Sequence, residues 1–438
     1  MHERLGNGLG DSNGVSLDFP AMSNYISIPF FVDKREREVL RELAKKIKNL
    51  ANRPIEEEKK DLWYKHNALE ETRPLVFCDP ENGWYEIIPA NTIICTNPLA
   101  RLWEFRMKKE IFWGEHLQDD KVIDDIFNVH YIYTYGDFGV AHKMHLADDI
   151  NGSYTWEPAI KNYEEALPKL KVRDINIDYE RSRQLFNLAQ YTFGDILRVQ
   201  FKDAFWWSFG LTWDLINLRG LDNMMLDMYD YPDELHQVMG VLRDDALNRL
   251  DFFEKHNLLT LNNRSSYVGS GGFGWSKEMP SEQFDGNVRT RDMWGFCESQ
   301  ESIGVSPEMF AEFIFPYQKP IMERFALNCY GCCEPVNSRW NTLKDAPHLR
   351  RVSVSAWADI YQMADMLGKN FIFSWKPRPA DLAFQNIDAN QIRSYIKETV
   401  QAAKNCRLEI IMKDNHTLGN NPQNAIDWVK IAREESDK

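Results

Sequence analysis

Three of the seven cysteines, Cys329, Cys332 and Cys333, fall within five residues in the run Asn328-Cys329-Tyr330-Gly331-Cys332-Cys333-Glu334-Pro335. A thiolate-rich loop of this kind suits zinc or another thiophilic metal ion. The plainer alternative is burial of the cysteines as small hydrophobes. Four other apolar runs are also followed by residues able to do chemistry. Cys297, Glu298, Gln300 and Glu301 follow Met293–Phe296, and Ser355, Trp357 and Asp359 follow Val352–Val354. Trp375 and Lys376 follow Phe371–Phe373, and Lys413, Asp414 and His416 follow Ile410–Met412.

A catalytic zinc takes about three protein ligands and keeps one position open. Glu298 or Glu301, Cys332 or Cys333, and His416 would supply three from separate segments. Adjacent side chains on extended chain point to opposite sides, so only one of Cys332 and Cys333 is expected to reach an ion. Each acid has the alternative of a salt bridge, and His416 that of holding substrate. Glu301, Lys413, Asp414 and His416 are the candidates for acid–base work. Asp292, Trp294, Gln300, Tyr330, Trp357 and Trp375 are the candidates for lining a substrate site. His142 and His145 form a weak pair for metal binding, better read as surface or hydrogen-bonding residues. Gly269-Ser270-Gly271-Gly272-Phe273-Gly274 lacks both the Lys-Ser/Thr that ends a P-loop and the G-x-G-x-x-G spacing. It is expected to be a flexible loop over the mouth of the site.

Positioning so many polar groups requires elements that end on one side. The run Phe325-Ala326-Leu327 reads as a buried strand, with Gly331 and Pro335 punctuating its exit. Apolar runs at Leu258–Leu261, Met293–Phe296, Phe325–Leu327, Arg351–Val354, Phe371–Phe373 and Leu408–Met412 alternate with helical patterns. The helices are expected near residues 307–324, 338–346, 359–368, 388–404 and 422–434, the first opened by Ser306 and Pro307. Earlier strand candidates are Trp84–Pro89, Thr92–Cys95 and Val129–Tyr135. Such alternation predicts a parallel sheet, here a (β/α)8 barrel of the TIM type with N-terminal helical and irregular additions. In that fold catalytic groups sit at the C-terminal strand ends.

Residues 1–80 are expected to be an N-terminal arm and accessory helix, and residues 81–438 the barrel. The arm, to about residue 24, is rich in Gly, Ser and Asn. Asp33 can cap a helix bearing Leu40, Leu43, Ile47 and Leu50 on one face, with Lys34 to Glu38 on a solvated face. A formal charge of −14 argues against nucleic-acid and anionic-membrane partners. No apolar run reaches the ~18 residues that span a bilayer. Clustered cysteines without a secretory signal favour reduced thiols in a cytoplasmic enzyme. The oligomeric state is left open, a homodimer included.

The segment 291–434 resembles the uroporphyrinogen decarboxylase superfamily, in its corrinoid-linked methyltransferase-like branch. The matching pieces are Arg291-Asp292-Met293-Trp294-Gly295-Phe296-Cys297-Glu298-Ser299-Gln300-Glu301, Val305-Ser306-Pro307-Glu308-Met309-Phe310, Tyr330-Gly331-Cys332-Cys333-Glu334-Pro335 and Leu408 to Thr417. The resemblance implies a barrel with zinc held by strand-end Cys, acid and His groups. It also implies methyl transfer from a small donor, an aromatic methyl ether among the candidates, to a corrinoid carried by a partner protein. Thiol-directed members carry His-x-Cys where this chain has Asn328-Cys329-Tyr330, and a further Cys on the last strand, where this chain offers His416. The Arg-rich N-terminal motif of the decarboxylases themselves is absent from residues 1–100. The alternatives are a metal-independent lyase of the same superfamily and a non-catalytic binder of a corrinoid or aromatic ligand.

Overall fold

The computed structural model describes residues 28–140, 143–146, 154–202 and 208–437. The expected N-terminal arm, His142 and the side chain of His145 lie outside the described residues.

Eight short strands run parallel within two sheets. They are β1 (Leu75–Cys78), β2 (Ile126–His130), β3 (Arg198–Lys202), β4 (Trp294–Cys297), β5 (Leu327–Tyr330), β6 (Leu349–Val354), β7 (Ile372–Trp375) and β8 (Arg407–Met412). Six form one sheet in the order β1-β8-β7-β6-β5-β4, and β2 pairs with β3. Every residue of β1, β4, β5 and β7 is buried. Strands buried on both faces read as largely apolar runs, interrupted here by Asn328 in β5 and Ser374 in β7. The register sets Cys78 beside Met412 and Cys297 beside Tyr330. Val354 lies beside Trp375. The five loops named from sequence therefore leave the sheet on one side, joined there by the loop after β1.

Several expected elements differ. Trp84–Ile87 is a helical turn, Thr92–Cys95 has no strand pairing, and Leu258–Leu261 is irregular. A short apolar run does not by itself separate strand from buried turn. Here Asp79 holds Trp84 through an indole N–H donated over 2.8 Å, which bends the chain into a turn. β1 precedes residue 80 and pairs with β8, so the sheet begins inside the stretch assigned to the accessory region. The helix expected over residues 307–324 breaks at Ile314 into Pro307–Phe313 and Phe315–Met322. Pro316, in the first turn of the second piece, brings no backbone N–H to continue the first.

The accessory helices are α1 (Lys34–Ala51) and α2 (Pro54–Asn67). Asp33 and Glu36 form a capping box on α1, with the Glu36 N–H donated to Asp33 over 2.8 Å. Glu36 is buried rather than solvated, because its other oxygen accepts the N–H groups of Thr96 and Asn97 at 2.9 and 2.7 Å.

Candidate functional site

The cysteine loop leaves β5 at Tyr330 and turns at Gly331, whose φ of 90° favours a residue without Cβ. This turn ends the extended geometry on which opposite-pointing cysteines were expected. Cys332 Sγ and Cys333 Sγ lie 3.7 Å apart, Cys332 only 3% exposed and Cys333 open to solvent. Glu334 braces the turn: it accepts the N–H of Cys332 on one oxygen and that of Ser299, after β4, on the other, both at 2.8 Å.

Around Cys332 three further residues close a polar ring. The Ser270 hydroxyl donates to Cys332 Sγ at 3.2 Å, and Lys413 Nζ stands 3.7 Å from that sulfur and 3.3 Å from Ser270 Oγ. Lys413 pairs with Asp414 at 3.0 Å, and Asp414 Oδ2 lies 3.5 Å from Cys333 Sγ. The hydrogen bond from Cys333 lowers the Cys332 thiol below its ordinary range; burial opposes that and Lys413 adds to it. Cys333 is raised, first as donor to Cys332 and then by burial. A thiol whose anion is favoured by a neighbouring ammonium is the arrangement that makes a cysteine nucleophilic.

The glycine-rich stretch is a tight buried hairpin, Tyr267–Val268 against Gly272–Phe273, rather than a loose cover. A Cβ at Gly269 would lie 2.8 Å from Cys329 Sγ, and one at Gly272 2.4 Å from the Arg351 guanidinium carbon. Glycine lets the hairpin sink between β5, β6 and β8, and that depth brings Ser270 to the sulfur.

Two groups of acids flank the ring. Glu298, buried after β4, accepts Ser208 Oγ at 3.2 Å and the Gln300 N–H at 2.9 Å. Burial raises its carboxyl well above the usual range, and Glu301 and Glu334 push it the same way. Glu301 accepts Thr212 Oγ1 at 2.7 Å. On the other side Glu81, just past β1, is raised to about 8 by burial against the pull of Lys413. Both Glu81 and Asp414 hold left-handed backbones, with φ 49° and 62°. Non-glycine residues held so at neighbouring strand ends mark a site whose surroundings over-determine them.

Deeper in the sheet lies a second charged network. Glu409 Oε1 is 2.9 Å from Arg351 Nε, and Glu409 Oε2 is 3.1 Å from His66 Nε2. The Ser374 hydroxyl also donates to Glu409. Burial would raise Glu409, but Arg351 and His66 hold it well below the carboxylate range. Lys376 donates to Ser374 O and Oγ at 3.1 and 2.5 Å and is lowered to about 8 by burial.

Of the residues named from sequence, Cys332, Cys333, Lys413 and Asp414 come together, with Glu298 and Glu301 on the adjoining loop. His416 is exposed on the loop beyond Asp414. Asp292 and Trp294 belong to the other end of the sheet, before β4 and at its first residue. There Asp292 accepts the N–H groups of Ser281 and Arg289, at 3.0 and 3.1 Å, and Trp294 donates to Gly274 O at 3.0 Å. Tyr330 is an interior brace whose hydroxyl donates to Gln318 at 2.9 Å. Trp375 packs edge-on against Tyr395, and Trp357 is 74% exposed. Gln300 reaches Glu301 at 3.3 Å. Among the described residues no group of three or more His, Cys, Asp or Glu side chains is placed to hold a metal ion. Hydrogen bonds turn Glu298 and Glu301 toward Ser208 and Thr212, His416 stands out in solvent, and an ammonium sits against the sulfur. Glu81, an acid after an unremarked four-residue strand, carried no signal in sequence, and Ser270 was marked only as part of the glycine-rich loop expected over the mouth of the site.

No family model matches the chain, and no curated protein matches it. Among solved structures it is similar to a methyltransferase from Methanosarcina mazei, with a TM-score of 0.51 and 11% identity over 87% of this chain and 99% of that one. The two share a fold. At that identity the likeness is one of architecture, and the chemistry must come from the residues.

Proposed function

We propose that the chain is a methyltransferase on a (β/α)8 barrel, closed by docking the β2–β3 pair between β1 and β4. Two backbone bonds support the closure: Asp120 N–H to Val76 O at 2.8 Å beside β1, and Phe209 N–H to Phe296 O at 2.9 Å beside β4. The observation that carries the activity is the ring of Cys332, Ser270, Lys413 and Asp414 at the C-terminal strand ends, bordered by Glu298 and Glu81, whose carboxyls burial raises. The shared fold and the motifs after β4, β5 and β8 point the same way.

The donor is a small molecule bearing its methyl on oxygen, and the acceptor is the corrinoid of a partner protein. As the methyl group leaves, the donor oxygen gains negative charge and needs a proton. Burial and the neighbouring Glu301 and Glu334 favour the protonated form of Glu298, and a general acid contributes ~10²–10⁴-fold. Lys413 favours the anionic form of Cys332 and balances any charge developing on the leaving oxygen. For zinc the side chains as placed are an incomplete fit: Cys332 and Cys333 are close, but a third ligand does not join them, and no step here runs through a metal.

The test uses free cob(I)alamin as acceptor and a panel of methoxybenzenes as donors, with methylcobalamin followed by its absorbance. The wild type forms it, and Glu298→Gln loses two to four orders of magnitude on the general-acid scale of ~10²–10⁴. Release of carbon dioxide from carboxylated substrates, with no methylated cobalamin, would replace this reading with the lyase one.

A further inference from the structure

We infer that Cys332 and Cys333 are a redox modification site, which hydrogen peroxide closes into a disulfide between adjacent residues. The sulfurs already lie 3.7 Å apart and in hydrogen-bonding contact. A disulfide places them at about 2.05 Å. Adjacent Cα atoms lie only about 3.8 Å apart, below the usual disulfide span, so closing the roughly 1.7 Å takes a shift of the intervening backbone as well as side-chain rotation. Cys333 is exposed and gives the pair access to solvent, whereas Cys332 is held from behind by Ser270 and Lys413. A thiol kept beside a cation, with a resolving thiol poised next to it, is the pattern of oxidation-sensing cysteines. Cys329 lies outside it: it is buried under Gly269, with Arg351 Nη1 3.7 Å from its sulfur.

The chemistry balances with one peroxide. Cys332 sulfur attacks the O–O bond and becomes sulfenic acid, and the departing oxygen takes a proton and leaves as water. Cys333 sulfur then attacks Cys332 sulfur, expelling the hydroxyl as a second water. Two thiols lose two electrons and two protons in all. The product removes the sulfur that Lys413 and Ser270 contact as a thiol, so the ring that carries the proposed activity is taken apart. This consequence rests on the methyl-transfer reading, but the modification itself does not.

The experiment treats the full-length protein with a small excess of hydrogen peroxide, blocks remaining thiols under denaturing conditions, and weighs the peptide spanning Cys332 and Cys333. The expected result is a loss of two hydrogens from that peptide and two fewer blocked thiols of the seven, both reversed by dithiothreitol. Cys332→Ser and Cys333→Ser each abolish the mass loss. Unchanged mass, sulfinic acid on both residues, or pairing with Cys329 would overturn the inference. So would a disulfide that forms only after a chelator has removed bound zinc. If the disulfide forms but reduced protein transfers no methyl group, the modification stands and the proposed function fails.

Discussion

Replacing Lys413 with Met isolates what the cation does for the sulfur, with the length of the side chain kept. At 3.7 Å and an effective dielectric of about 20, a unit pair interacts by roughly 4–5 kcal/mol. The ion pair of Lys413 with Asp414 offsets part of this, and without the cation the Cys332 thiol should titrate higher. Ser270 and Cys333 still donate to the sulfur. The assay is the thiolate ultraviolet absorbance as a function of pH, taken as the difference between each protein and its Cys332→Ser counterpart, with folding checked by circular dichroism. A wild-type midpoint below the ordinary thiol range of ~8.5 and a higher one in the variant are expected. A folded variant with an unmoved midpoint would refute the electrostatic account, since no other cation stands within hydrogen-bonding reach of Cys332 among the described residues.

Other expectations follow from the same geometry. Burial raises Glu81 from 4.5 to about 8, so the folded state holds this proton more tightly than the unfolded one. Its contribution is full below the unfolded value and is lost as pH rises toward about 8. The stability advantage of wild type over Glu81→Gln, read by urea unfolding, should therefore shrink by a few kcal/mol across that window, roughly 1.4 per pH unit at most. Breaking the buried pair through Arg351→Met or Glu409→Gln should cost ~3–5 kcal/mol each, and the double variant less than their sum. Equal additive losses in thermal or urea unfolding would deny the coupling. Chelation should leave the melting temperature unmoved; about one tightly held zinc per chain with sulfur ligation would show instead that a metal supplies the positive charge assigned to Lys413.

The strand ends of the C-terminal half were legible because buried parallel strands are mostly apolar, so a cluster of polar residues after such a run marks its exit. Asn328, Arg351, Ser374 and Glu409 are nonetheless buried within strands, where partners meet them. Ser306 and Pro307 announced a helix start, with the Met309 N–H donated to Ser306 at 3.3 Å, and Asp33 announced another through its local cap. The first strand was missed because four apolar residues look alike in strand and turn until β8 pairs with them. Asp292 and Trp294 were misplaced for a related reason: a strand has two ends, and only the direction of the sheet says which one faces the site.

From sequence alone came the parallel α/β class and the polar loops that end β4, β5, β6, β7 and β8, since periodicity and local caps act over a few residues. The tertiary structure alone decided which groups touch. Ser270 and Cys332 are 62 positions apart, and Ser270 and Lys413 143. Their meeting depends on glycines that let a hairpin sink into the sheet. The side on which Cys333 lies was decided by the backbone turn at Gly331. A sequence of residue types records the donors and acceptors, but the distance between two of them is a property of the packed chain.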